Sequence, residues 1–232
     1  MRHSLHSIFI DQAGEKEAIE RYDEALELLY QVHRWAPEAP ELWLRMGALS
    51  FLLTDRGWLR RHGLEATALG DMGAVNARLY LARAVELAPG SAQARFWLGW
   101  VRHALYQDAA GAKEALAAAL AIEAEHPYAH AAIARIEQAE AAPGYHERAV
   151  AHLTRAIARL PESARFHYDL GACLAGLGDE TGARRSFSRA MATGALRVGP
   201  LGMDRYLEGE FHADGETVGA LVTRLYPGLK GG

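Results

Sequence analysis

Four stretches of the chain carry residue types that could do chemistry. "HERAVAH", residues 146–152, sets His146 and His152 beside a glutamate, in the manner of the zinc-binding pattern H-E-x-x-H. Its histidines are six residues apart, about 600° around a helix, and so face different sides. His126 and His130 are four apart and share a helical face, but no third ligand stands near them, so no metal is expected. "GLGDETG", residues 176–182, is glycine-rich, yet it reads as a turn between helices and lacks the strand-to-helix setting of a phosphate loop. The fourth stretch, "DRGWLRRHGLEATALGDMG" at 55–73, gathers Trp58, Arg60, Arg61 and His62. An indole among guanidinium forks is a candidate secondary contact for an anion or nucleic acid. The plainer reading, favoured here, packs Trp58 and Leu59 onto the rest of the protein and leaves the arginines in water.

None of these assembles an acid, a base and a nucleophile. No G-x-x-x-x-G-K-[ST], G-x-S-x-G or C-x-x-C pattern occurs, so no catalytic residue and no cofactor is expected. The formal charge of −4 offers no basic field to nucleic acid or to an acidic membrane surface, and no partner of either kind is expected. The single cysteine, Cys173, rules out an internal disulfide and points to a reducing compartment. No signal peptide or membrane span is evident, which places the chain in the cytoplasm. Many arginines and a lone asparagine suggest a bacterial genome rich in G and C.

The elements that must position these residues are repeated. Ala25, Leu29, Val32 and Pro37 set a spacing of four, seven and twelve that returns at Ala77, Leu81, Ala84 and Pro89, and at Ala149, Leu153, Ala156 and Pro161. Ala112, Leu116 and Ala119 make another copy with Pro127 displaced by three, and Ala183, Phe187 and Ala190 a fifth. Offsets of four and seven share one helical face, and proline ends the helix. Upstream of four copies lies a partner helix, marked by Met46-Gly47, Leu98-Gly99, Ile136-Glu137 and Leu170-Gly171. Glycine inside a helix costs about 1 kcal/mol against alanine. Three at one phase therefore imply a neighbouring helix packed where a side chain would not fit.

This pattern resembles the tetratricopeptide repeat, a unit of about 34 residues with the signature W-x2-L-G-x2-Y, then A-x3-F-x2-A and P. Residues 164–197 fit best, through Leu170, Gly171, Leu174, Ala183, Phe187 and Ala190; Arg95 and Glu137 depart from it. The resemblance implies an all-α fold, a right-handed superhelical array of antiparallel helix pairs. The array is drawn over 13–195, after an N-terminal arm at 1–12, with an insertion at about 55–73. Residues 196–232 form a linker and a helix that caps the stack, with Val218, Leu221, Val222 and Leu225 at helical spacing.

By the same resemblance the chain is a non-enzymatic adaptor that binds a protein or peptide in a groove lined by the first helix of each pair. The lining positions lie three before, one after and four after the small residue. They name Leu44, Phe51, Phe96, Trp100, His103, Gln138 and Tyr168 as partner contacts, with the smaller Ala48, Ala134 and Ala172 between them. Relatives that clamp a peptide's carboxylate use lysine and asparagine there; aromatic side chains imply a partner with hydrophobic anchors. The C-terminal helix or a second copy of the chain, as a homo-oligomer, would compete for the groove. The alternative function is a small-molecule, anion or catalytic site on the 55–73 insertion or the tail.

Overall fold

The computed structural model describes residues 5–54 and 66–192, with side chains from residue 7 to 54 and from 72 to 192. All ten elements among them are helices: α1 Leu5–Ala18, α2 Tyr22–His33, α3 Pro40–Leu52, α4 Ala66–Leu87, α5 Ala92–Tyr106, α6 Ala109–Ile122, α7 Pro127–Glu140, α8 Tyr145–Arg159, α9 Ala164–Gly176 and α10 Glu180–Ala192. They fall into two compact units, Met1–Ile122 and Glu123–Gly232. In the first, α1 packs on α2, α3 on α4 and α5 on α6; in the second, α7 packs on α8 and α9 on α10.

The repeat helices marked by Ala77, Ala112, Ala149 and Ala183 are α4, α6, α8 and α10. The helix marked by Ala25 is α2, and the chain is cut just before it at Ile19–Arg21, where Glu20 takes a left-handed φ of 60°. The chain before the cut is not an arm over residues 5–12: it forms α1 and pairs with α2. Arg45 of α3 ties α1 down, donating from Nε and Nη2 to Glu17 at 3.0 and 2.7 Å. The tail at 196–232 lies outside the described residues.

Each pair is closed by the alanines and large residues that the sequence repeats. Ala25, Ala77, Ala112, Ala149 and Ala183 have no exposed surface, and Leu29, Leu81, Leu116, Leu153 and Phe187 have at most 1%. Burying one such large side chain contributes roughly 1.5–3 kcal/mol. The glycines face those residues. A Cβ built on Gly47 would lie 2.5 Å from Leu81 Cγ, one on Gly99 2.8 Å from Leu116 Cγ, and one on Gly171 2.7 Å from the Phe187 ring. The crowding inferred from their phase is real.

A second device recurs at the start of the first helices. Trp43 Nε1 donates to the carbonyl of Pro37, Arg95 Nε to that of Pro89, and His167 Nε2 to that of Pro161, each six residues back. This explains the tryptophan-to-arginine departure at position 95. The fold needs an N–H donor on a long side chain there, and Trp, Arg and His all supply one. In the fourth pair the donor is His130, bonded to Ala124 at 2.9 Å.

That bond corrects the phase of the pair. The small residue lies four after the donor in Gly47, Gly99 and Gly171, so in α7 it is Ala134 and not Glu137. Counted this way, small residues fall at intervals of 52, 35 and 37, the spacings that separate Ala25, Ala77, Ala112 and Ala149. Pro127 is not a displaced helix stop but the opening residue of α7, as Pro40 is of α3. Ala134 packs on Ala149 and Leu153. Glu137 lies three further along, buried, with its carboxylate on Arg148 of α8 at 2.6 Å.

Candidate functional site

The first helices present the residues named as partner contacts. Helices α3 and α5 pack together in the first unit, and they carry Leu44 and Phe51, and Phe96, Trp100 and His103, respectively. Leu44, Phe51, Phe96 and Trp100 are 5, 1, 1 and 3% exposed, while His103 is half-buried. Trp97, between Phe96 and Leu98, was not among the expected residues. It has no exposed surface and joins the two helices, its ring centroid 5.8 Å from Phe51 and 5.5 Å from Phe96. Trp100 meets His103 at 6.0 Å. Aromatic rings at these separations pack edge-on or tilted and add modestly to their area burial. Alanine at Phe96 and Trp100 would therefore disturb packing before it disturbed binding.

In the second unit α7 supplies Gln138 and α9 supplies Tyr168, both half-buried. The corrected phase leaves Gln138 among the lining positions, now four after Ala134, and adds Ala131 and Arg135, which the sequence reading did not name. The signal for them was available in the 35- and 37-residue intervals. Gln138 Nε2 donates to Cys173 Sγ at 2.9 Å, which joins α7 to α9. Tyr168 packs on Phe187, its ring centroids 5.7 Å apart. Arg165 lies over the Tyr168 ring and donates from Nε to both oxygens of Asp169.

Cys173 is fully buried, and burial pushes its thiol up to about 11, with Gln138 opposing and Asp169 adding. About one thiol in ten thousand is then ionised at pH 7, and the thiolate is the reactive form. Native protein is expected to resist a thiol reagent at pH 7 until it unfolds. Labelling as fast as that of a free thiol would contradict this environment.

Trp58, Arg60, Arg61 and His62 lie outside the described residues. Among the described residues no group of three or more histidine, cysteine or carboxylate side chains is placed to hold a metal. His146 and His152, six apart, do not converge: His146 stacks on Tyr145 with centroids 3.8 Å apart, whereas His152 meets His130. No described helix is long and apolar enough to cross a membrane.

No protein-family model and no curated protein sequence matches the chain. Solved structures do. PilW, described as a widely conserved type IV pilus biogenesis factor, superposes with a TM-score of 0.63 at 16% identity, over 97% of this chain and 96% of that one. A thermophilic TPR protein of Thermus thermophilus gives 0.62 at 16% identity, over 90 and 97%. YrrB, described as a TPR protein with an unusual peptide-binding site, gives 0.51 at 14% identity, over 80 and 84%. The fold is that of the tetratricopeptide-repeat solenoids.

Proposed function

We propose that the chain, folded as tetratricopeptide-repeat proteins are, is a non-enzymatic scaffold that holds a protein or peptide segment against the first helices of its pairs. One observation carries this reading. The residues that fix each pair repeat along the chain, while the lining residues do not. Small residues at 47, 99, 134 and 171 and large ones at 81, 116, 153 and 187 keep their character. The position after the small residue is Ala48, Trp100, Arg135 and Ala172, and four after it stand Phe51, His103, Gln138 and Ala175. Stacking alone requires no such variety, whereas recognition of one particular segment does. YrrB, with its peptide-binding site, supports the class by shared fold. In this reading the buried aromatics of the first unit form a floor beside the half-buried His103, and in the second unit the half-buried Gln138 and Tyr168 offer an apolar segment a surface of their own.

The test is a photo-crosslinking residue placed in turn at His103, at Tyr168 and at the exposed Thr154 on α8. Adducts are expected from the first two in their native host and not from the third. Truncating an aromatic anchor commonly costs 2 kcal/mol or more, so Tyr168→Ala should weaken capture of the crosslinked partner by about thirtyfold. Adducts only from Thr154, or unchanged capture by folded Tyr168→Ala, would defeat the proposal.

A further inference from the structure

The start of α7 differs from its counterparts in being held by histidines. The N-cap of α5 is Ser91 and that of α9 is Ser163, each accepting a backbone N–H through its hydroxyl. At the same position α7 has His126, whose Nδ1 accepts from the Ala129 N–H at 3.1 Å. An imidazole can do this only while that nitrogen is unprotonated.

His130, four residues on, is 1% exposed and sits between two partners. Its Nε2 faces the Ala124 carbonyl at 2.9 Å, and its Nδ1 faces Nδ1 of His152 on α8 at 2.9 Å. A carbonyl only accepts, so the proton of neutral His130 is on Nε2 and its Nδ1 is an acceptor. His152 must then carry its proton on Nδ1 and donate it across the helix pair. Two ring nitrogens without a third donor among the described residues do not make a metal site, whereas they do make a hydrogen bond with one allowed arrangement.

We propose that His126, His130 and His152 form an acid-released latch, holding α7 on α8 only while the acceptor nitrogens of His126 and His130 carry no proton. A first proton on the pair can enter at His152 Nε2 and leave the bridge intact. A second sets two N–H groups against each other, and a proton on His126 removes the cap. His167 provides the contrast: it uses only a donating Nε2, toward Pro161, and keeps that bond when protonated.

The surroundings favour the neutral forms. Burial is the largest influence on all three rings and holds each below the ordinary histidine value. Arg155 of α8 and the mutual repulsion of His130 and His152 act the same way on His152, and Arg155 does so on His130. Glu123 and then the backbone of His126 oppose at His126, the Ala124 carbonyl and then Glu125 at His130, and Glu137 at His152, the last with its carboxylate shared with Arg148. Helix α9, which packs on α8, brings Arg165 and Asp169, already paired with each other. The unfolded chain therefore binds more protons in acid. The contribution of the cluster to stability is complete above the unfolded value of about 6.5 and is lost as pH falls through the lower folded values.

Hydrogen exchange of the whole chain tests this. Between pH 7.5 and 5, protection of α7, corrected for intrinsic exchange, should fall several-fold relative to α10. The double variant His126→Ser with His152→Asn keeps a cap acceptor and faces His130 with an amide that donates to its bare Nδ1 or, turned over, accepts from a protonated one, and should show no such fall. Equal weakening of α7 and α10, or unchanged pH dependence in the variant, would overturn the latch. Should the variant not fold, imidazole 15N shifts of the native protein at pH 7.5 decide. Protonated Nε2 in His126 and His130 with protonated Nδ1 in His152 supports it, and a protonated Nδ1 in His126 or His130 overturns it.

Discussion

Trp97→Ala is expected to destabilise the first unit by about 3–5 kcal/mol, the range for removing a large aromatic side chain from a core. Trp97 is the largest of the fully buried side chains among the described residues, with its ring against Phe51 of α3 and Phe96 of α5. Stacks of helix pairs are stabilised by contacts between neighbours, so losing this ring uncouples α5 from α3 as well as opening a cavity. The indole Nε1 is buried and meets no acceptor among the described residues. Trp97→Phe should consequently lose far less, because it keeps most of the packing and removes an unsatisfied donor. Urea unfolding of the three proteins measures both steps. An alanine variant within 1 kcal/mol of the parent would show that the ring does not hold the helices together.

Gly171→Leu is the second change expected to act strongly, with a loss of about 1–3 kcal/mol from overpacking. Even the first atom of the new side chain would stand 2.7 Å from Cδ1 and Cε1 of Phe187, and Phe187 is itself 1% exposed. The ring is hemmed in by Tyr168, Ala172, Leu174 and Ala175, so it has little room to turn away. Phe187→Ala alone should cost about 3–5 kcal/mol by leaving a cavity. Placed together, the leucine occupies part of the space that the phenylalanine vacates. The double variant should be more stable than the sum of the two single losses predicts, a coupling expected of residues in contact. Thermal melts of the four proteins supply the cycle. Strict additivity would mean that position 171 does not face position 187 and that the glycine is there for another reason.

The residues that built the repeat were legible because helical packing in this fold is local and periodic. Alanine, leucine and proline at offsets of four and twelve mark a helix and its end whatever surrounds them, and a glycine at fixed phase announces a close neighbour. The lining residues were less legible. Their positions follow from the phase, and in the fourth pair an apolar-then-charged couple, Ile136-Glu137, imitates the leucine-glycine marker three residues too late. The bond from His130 to the Ala124 carbonyl and the packing of Ala134 on Leu153 fix the register there, in step with the 35- and 37-residue intervals of the sequence. Helix α1 was missed for a related reason: "LHSIFIDQAGEKEA" lacks the repeating small and large residues, and it is a helix because α2 and Arg45 give it a surface.

Sequence by itself determined the class of fold, its helix pairs and the glycine contacts that lock them, because each depends on residues a few positions apart on one helical face. The tertiary structure decided which aromatic rings are buried and which keep exposed surface. Phe96, Trp97 and Trp100 lie within five residues of one helix, and burial depends on what faces them, which no local spacing records. It also decided the roles of the histidines. As a pair four apart, His126 and His130 read as a metal ligand set lacking a third member. The fold instead turns one onto a helix end and brings the other to His152, twenty-two residues away, because the directions of hydrogen bonds are settled only when separate helices meet.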